Sequence, residues 1–187
     1  MRKVLLLEHV SLDGFLAGPN GEMDWIHVEE ELWDYVAALT KSADTAVFGR
    51  VTYQMMEGYW PTAAENPGAT RHDIDHAQWV NNATKLVFSR TIEDVSWENT
   101  RVVSGDIAGT IREMKAQPGA NLLMIGSAGL AREFLRLRLI DELWLNVNPV
   151  ILGSGIPLFD EQSGRTDLKL ASSRIFESGV VGLCYEV

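Results

Sequence analysis

One cysteine, Cys184, stands in the 187-residue chain. That excludes an intramolecular disulfide and any zinc site built from several thiolates. Histidine is scarce too, with four residues: His9, His27, His72 and His76. His72 and His76 are four apart, but no Glu follows His72 as a zinc-protease helix requires. The pair reads as part of a solvated helix face, and no metal is expected. No apolar run approaches the ~18 residues of a membrane-spanning helix. After Met1-Arg2-Lys3 the run Val4-Leu5-Leu6-Leu7 stops at Glu8 and His9, too short for a secretory signal, so a cytoplasmic location is expected. Positive charge is also thin: 16 Lys and Arg against 26 Asp and Glu leave a net charge of −10. Such a surface repels phosphate backbones and anionic membranes. The expected partner is a small-molecule substrate, with neither nucleic acid nor membrane. The deficit is steepest from Glu22 to Asp34, where six acids meet no Lys or Arg. Hydrophobic residues at 46% and charged residues at 22% are ordinary globular usage. With no repeat or linker, one domain over residues 1–187 is expected.

Apolar runs of strand length alternate with helical patterns. Lys3–Val10, Thr45–Phe48, Lys85–Ser89, Thr100–Ser104, Leu122–Ile125 and Glu142–Val150 read as strands. Helices are expected over Glu29–Lys41, Arg50–Gly58, Asp73–Asn82, Ser127–Arg138, and from an Asp106 N-cap to Gln117. Leu168–Val187 reads as two strands joined around Ser178-Gly179. This order predicts an α/β three-layer sandwich: a mostly parallel mixed sheet, helices on both faces, and a C-terminal antiparallel hairpin.

Ligands of such sheets bind outside the carboxyl ends of the parallel strands. Three turns there carry suitable residues. Phe48-Gly49-Arg50-Val51-Thr52-Tyr53 joins a close-approach glycine to a helix start and a guanidinium. Phe88-Ser89-Arg90-Thr91 sets two hydroxyls around another guanidinium. Ile125-Gly126-Ser127-Ala128-Gly129-Leu130 offers backbone N–H groups at a glycine turn. Each turn alone has a plain packing explanation, whereas the three together suit a dinucleotide. The Gly-x-Gly-x-x-Gly spacing of a generic dinucleotide fold is missing, and so is the acid that would grip a ribose. Asp141 and Glu142 lie at the wrong end of their strand, while Arg50 and Arg90 favour a phosphorylated ribose.

These turns, with Ser11-Leu12-Asp13-Gly14, Ile140-Asp141-Glu142-Leu143 and Pro149-Val150-Ile151-Leu152-Gly153-Ser154-Gly155-Ile156-Pro157-Leu158-Phe159, make the chain resemble the dihydrofolate reductase-like superfamily. The resemblance is closest to the C-terminal reductase domain of the bifunctional riboflavin-biosynthesis deaminase-reductase, and covers nearly the whole chain. It implies a cytoplasmic NADPH-dependent oxidoreductase, commonly a homodimer, with 5-amino-6-(5-phosphoribosylamino)uracil reductase activity as the family's reaction. It places NADPH on Gly49, Arg50, Thr52, Ser89, Arg90, Thr91, Gly126, Ser127, Ala128, Gly129 and Leu130. Three departures stand out. A deaminase zinc site needs Pro-Cys-x-x-Cys, which one cysteine cannot supply. Met23-Asp24-Trp25 stands roughly where dihydrofolate reductases carry Leu-Pro-Trp. The substrate acid is Glu31, with Glu30 and Glu29 as alternatives.

The expected reaction is hydride transfer to a C=N or C=O carbon of a small heterocycle or ribosylaminopyrimidine-like substrate. Glu31 is the first candidate for proton supply and Asp13 the second, although Asp-Gly is also a common turn pair. Trp25, Trp33 and Tyr53 are candidates for the substrate wall. The acidic Glu22–Asp34 segment is expected beside the substrate, and its lack of cations favours a less anionic one. The alternative is a non-catalytic NADP-binding or redox-sensing module.

Overall fold

Strand β1 (Val4–Ser11) has neighbours on both sides and helices on both faces, so both its alternating rows of side chains are apolar from Val4 to Leu7. The structure, a computed structural model, describes residues 1–160 and 164–187. After β1 come β2 (Phe15–Ala17), α1 (Glu30–Lys41), β3 (Ala43–Gly49), α2 (Arg50–Glu57), α3 (Arg71–Asn82), β4 (Thr84–Phe88) and β5 (Thr100–Val103). Next are α4 (Ile107–Ala116), β6 (Asn121–Ile125), α5 (Ala128–Arg136), β7 (Glu142–Asn148), β8 (Ile156–Pro157), β9 (Lys169–Ile175) and β10 (Val181–Glu186). The main sheet runs β5-β4-β3-β6-β1-β7-β10-β9. Its first six strands are parallel, and β10 and β9 close it as an antiparallel pair. The expected mostly parallel mixed sheet with its C-terminal hairpin is therefore present.

Leu5 and Leu7 pack under Val36 and Leu39 of α1. Val4, Leu6 and Val10 face the other way, onto Ile111 of α4 and Phe134 of α5. Tyr53 of α2 and Val80 of α3 cover Ala46, Phe48 and Val87 on the first face. Helix α3 starts at Arg71, two residues before the sequence expectation. Thr70 and Asp73 form a reciprocal capping box, the Asp73 N–H reaching Thr70 Oγ1 at 3.2 Å. Strand β7 stops at Asn148, ahead of Pro149, and α5 stops at Arg136, ahead of a left-handed Arg138 (φ 53°).

The small β2–β8 sheet escaped the sequence reading. It brings together the Ser11–Gly14 and Pro149–Phe159 motifs. Asp13 accepts hydrogen bonds from Ser11 Oγ at 2.7 Å, Leu152 N–H at 3.1 Å and Gly153 N–H at 2.7 Å. The Leu158 N–H donates to the Gly14 carbonyl at 3.0 Å. Gly155 (φ 153°) lies so close to β2 that an added Cβ would stand 2.1 Å from the Ala17 oxygen. This brace fixes the chain just past the C-terminal end of β1. Gly155→Ala is expected to cost on the order of 1–3 kcal/mol, the usual penalty of overpacking. A lowered urea midpoint with an unchanged m-value would show it.

Candidate functional site

The carboxyl ends of β1, β3 and β6 meet under a cleft of about 800 Å³. One half is built from two turns that pack on each other. Gly126 (φ 67°) and Ser127 (φ 69°) both adopt the left-handed conformation, which is unfavourable for serine. What holds Ser127 there is its hydroxyl, which accepts the Gly49 N–H at 2.9 Å. A Cβ on Gly126 would meet Thr52 Cγ2 at 3.4 Å. Helices α2 and α5 thus begin side by side, and neither has a side-chain cap. Their first-turn N–H groups are available to an anion. Gly49, Arg50, Thr52, Gly126, Ser127, Ala128, Gly129 and Leu130 all line this cleft.

A second cavity, about 780 Å³, is bordered by Ser89 and Arg90 and shares Leu130 with the cleft. Its two acids are engaged elsewhere. Asp106 accepts the Gly109 N–H at 2.9 Å, and Glu133 pairs with Arg136 at 2.6 Å. Thr91 lines neither space; its N–H donates to Ser89 Oγ at 3.1 Å.

At the cleft floor, β1 ends in residues that sequence reading treated only as the end of an apolar run. Glu8 is 3% exposed, and its Oε1 has no partner. Burial pushes its carboxyl up to about 8, although the Gly126 N–H favours the ionised form. His9 follows on the opposite face of the strand, its Nδ1 buried and unpaired. Burial lowers it to about 4. His76 is lowered to about 4 as well, chiefly by burial and then by His72. Burial lowers His72 too, so Glu8 and these three histidines all favour their neutral forms.

The predicted acids lie elsewhere. Neither Asp13 nor Glu31 lines the cleft. Asp13 is held below the ordinary carboxylate range, first by the Ser11 hydroxyl, and serves the brace. Glu31 pairs with Arg174 across 143 positions of sequence at 2.5 Å. Of the three aromatic candidates, Trp33 lines the cleft. Trp25 instead donates its indole N–H to the Glu22 carbonyl at 3.1 Å. Tyr53 is fully buried in the α2–α3 core, with its hydroxyl on Glu57 and Thr100. The acidic segment does run over the cleft, but it contributes Met23, Ile26 and Val28 to the lining rather than carboxylates.

A family model, the RibD C-terminal domain, matches residues 2–182. The uncharacterized protein YyaP of Bacillus subtilis (strain 168) is 33% identical over 187 residues, covering 98% of this chain and 94% of that protein. The riboflavin biosynthesis protein RibD of Corynebacterium ammoniagenes is 30% identical over 153 residues, covering 78% of this chain and 42% of RibD. A crystal structure of a putative riboflavin biosynthesis protein from Shewanella sp. PV-4 shares the fold. Its TM-score is 0.74 at 24% identity, with 98% of each chain covered. With the family model spanning residues 2–182, the chain belongs to the RibD C-terminal domain family.

Proposed function

We propose that this protein is an NADPH-dependent reductase of a small heterocyclic substrate, with Glu8 as the proton donor. The observation that carries the reading is a buried Glu8 carboxyl, its Oε1 unpartnered, at the floor of a cleft whose other half presents two uncapped helix starts. A dinucleotide fits the donor set. The α2 and α5 starts would hold the pyrophosphate, with Gly49 and Gly126 permitting its close approach, and Arg50 would add charge. Ser89 and Arg90 border the space suited to a phosphorylated ribose, and the acids there already have partners.

Bound NADPH supplies a hydride from its nicotinamide to the electrophilic carbon of a C=N or C=O bond. The chain's task is to align the acceptor and to protonate the heteroatom that gains the electron pair. Glu8 Oε1 gives up that proton. The carboxylate left behind is stabilised by the Gly126 N–H and regains its proton from water. The relatives' riboflavin pathway supports a pyrimidine-type acceptor. The alternative, a non-catalytic NADP-binding or redox-sensing module, gives Glu8 no task, and a buried neutral acid is costly to keep without one.

Glu8→Gln is expected to lower kcat by ~10²–10⁴, the usual range for losing a general acid, with NADPH affinity retained. Glu31→Gln and Asp13→Asn are expected to retain Glu8-dependent turnover. Single-turnover NADPH oxidation distinguishes these outcomes, and full activity in Glu8→Gln removes the assignment.

The same groups set a stability profile. Unfolding returns Glu8 from about 8 to 4.5. It returns His9 and His76 from about 4 to 6.5. Between pH 4.5 and 6.5 the unfolded chain gains two imidazole protons and loses one carboxyl proton, so stability rises with pH. Between 6.5 and about 7.5 the Glu8 difference dominates, the folded state holds the extra proton, and stability falls by ~1.4 kcal/mol per pH unit at most, until Lys85, lowered by burial to about 8, begins to offset it. Thermal melts across pH 5–8.5 should peak near 6.5, and Glu8→Gln should flatten the alkaline limb.

A further inference from the structure

Four of the buried polar atoms without a hydrogen-bond partner among the described residues belong to one cleft: Glu8 Oε1, His9 Nδ1, His72 Nε2 and His76 Nδ1. Buried polar atoms are nearly always paired, so such a group marks a place where a ligand supplies the partners. We infer that the substrate half of this cleft takes a flat, uncharged, nitrogen-bearing aromatic ring that carries no phosphate. The inference rests on the reductase reading, and names the substrate class within it.

The wall is aromatic. Trp33 stacks on His72, with ring centroids 3.2 Å apart and planes 14° from parallel. His76 stands 4.3 Å from Trp60 and 5.3 Å from Trp79. Met55 and Met56 of α2 complete that side, adaptable thioethers that suit an aromatic edge. A planar ring gains stacking from such walls, and its ring nitrogens and amide groups can meet the orphaned imidazole and carboxyl atoms. Burial disfavours the charged form of all four groups, so a charged ring would find no ready counter-ion there.

Phosphate has no place in this half. Arg50 is the one Lys or Arg among the residues lining the cleft, and it stands at the start of α2 with the glycine turns. Behind the wall lies a groove of about 360 Å³ between α1 and α3, sharing Trp33, Val36, His72 and His76 with the cleft. A substrate tail entering it would meet Glu30, Asp34 and Asp75 against Arg71 and Lys41. Arg71 is already held by all three acids, at 3.9, 2.5 and 3.8 Å.

The test is calorimetric titration of the full chain held with NADP+, at pH 6.5. The probes are lumazine, a fused pyrimidine–pyrazine ring, and a ribosylaminopyrimidine 5′-phosphate. Lumazine is expected to bind at least ~10-fold more tightly, a difference of about one well-made hydrogen-bonded contact. The double change His72→Leu and His76→Leu should weaken lumazine by a similar factor while leaving NADP+ affinity unaltered. Tighter binding of the phosphate, or no lumazine binding, overturns the inference. So does lumazine affinity unaffected in the folded double variant. NADP+ affinity, read in its own titration, reports on the cofactor reading: its loss would sink that reading, whereas a phosphate preference with NADP+ bound would sink only the substrate class.

Discussion

The site depends on one constraint, the double burial of β1. A parallel strand with a neighbour on each side and a helical layer on each face has no solvent-facing row. Its residues must be apolar or must have a reason not to be. Val4 through Leu7 comply, and Glu8 and His9 do not. They fall where the strand leaves the helical layers and meets the cleft, so their polar atoms are withheld from water without being paired. The raised carboxyl and the lowered imidazole are two results of the same burial, opposite in sign because the charged forms carry opposite charge. The brace at Asp13 and Gly155 holds this strand end in place, and the Gly126–Ser127 turn closes over it from β6.

Much of this frame was legible in the sequence because it rests on local chemistry. Gly49, Arg50 and the Gly126–Leu130 turn carry helix starts that their glycines announce, and Gly126 takes a positive φ that suits its residue type. The strand–helix alternation gave the mixed sheet for the same reason. What local chemistry cannot show is which polar residue ends up enclosed. Glu8 and His9 read as the stop of an apolar run, and only the packing of β6, α1 and α3 makes them the floor of a cleft. His72 and His76 read as part of a solvated helix face, but His76 is buried and both rings line one wall of the cleft. Glu31 looked available because Arg174, its partner, lies 143 residues away. Asp13 carried two readings, both local, and neither anticipated the distant Leu152 and Gly153 N–H groups that it accepts from.

Stability and function pull against each other at these positions. Ser127 holds a conformation that costs a non-glycine residue energy, and Glu8 Oε1, His9 Nδ1 and His76 Nδ1 forgo hydration without gaining hydrogen bonds. Strands and helices far from the cleft show the opposite habit. Lys85, fully buried, donates to the Val80 and Asn81 carbonyls at 3.0 Å each and closes the end of α3. Glu57 gathers the Ser96 and Trp97 N–H groups at 3.0 and 3.1 Å. Tyr35 Oη and the Asn146 amide are also buried and unpartnered away from the cleft, so what sets the cleft apart is the gathering of four such atoms in one place.

The net charge of −10 fits this division once its acids are located. Glu22 is bound by Asn20, Glu29 by Ser178, Glu31 by Arg174, and Glu30 and Asp34 by Arg71. The acidic stretch therefore works as a set of surface ties, while Met23, Ile26 and Val28 of the same stretch turn to the cleft. Arg50 and Arg90 stand on the other side, along the path suited to an anion. Separating the charges this way lets one acidic protein present an anion-binding half and a neutral half within a single cleft. The boundary between them runs through Glu8, the one carboxyl among the cleft-lining residues and the one that burial keeps uncharged.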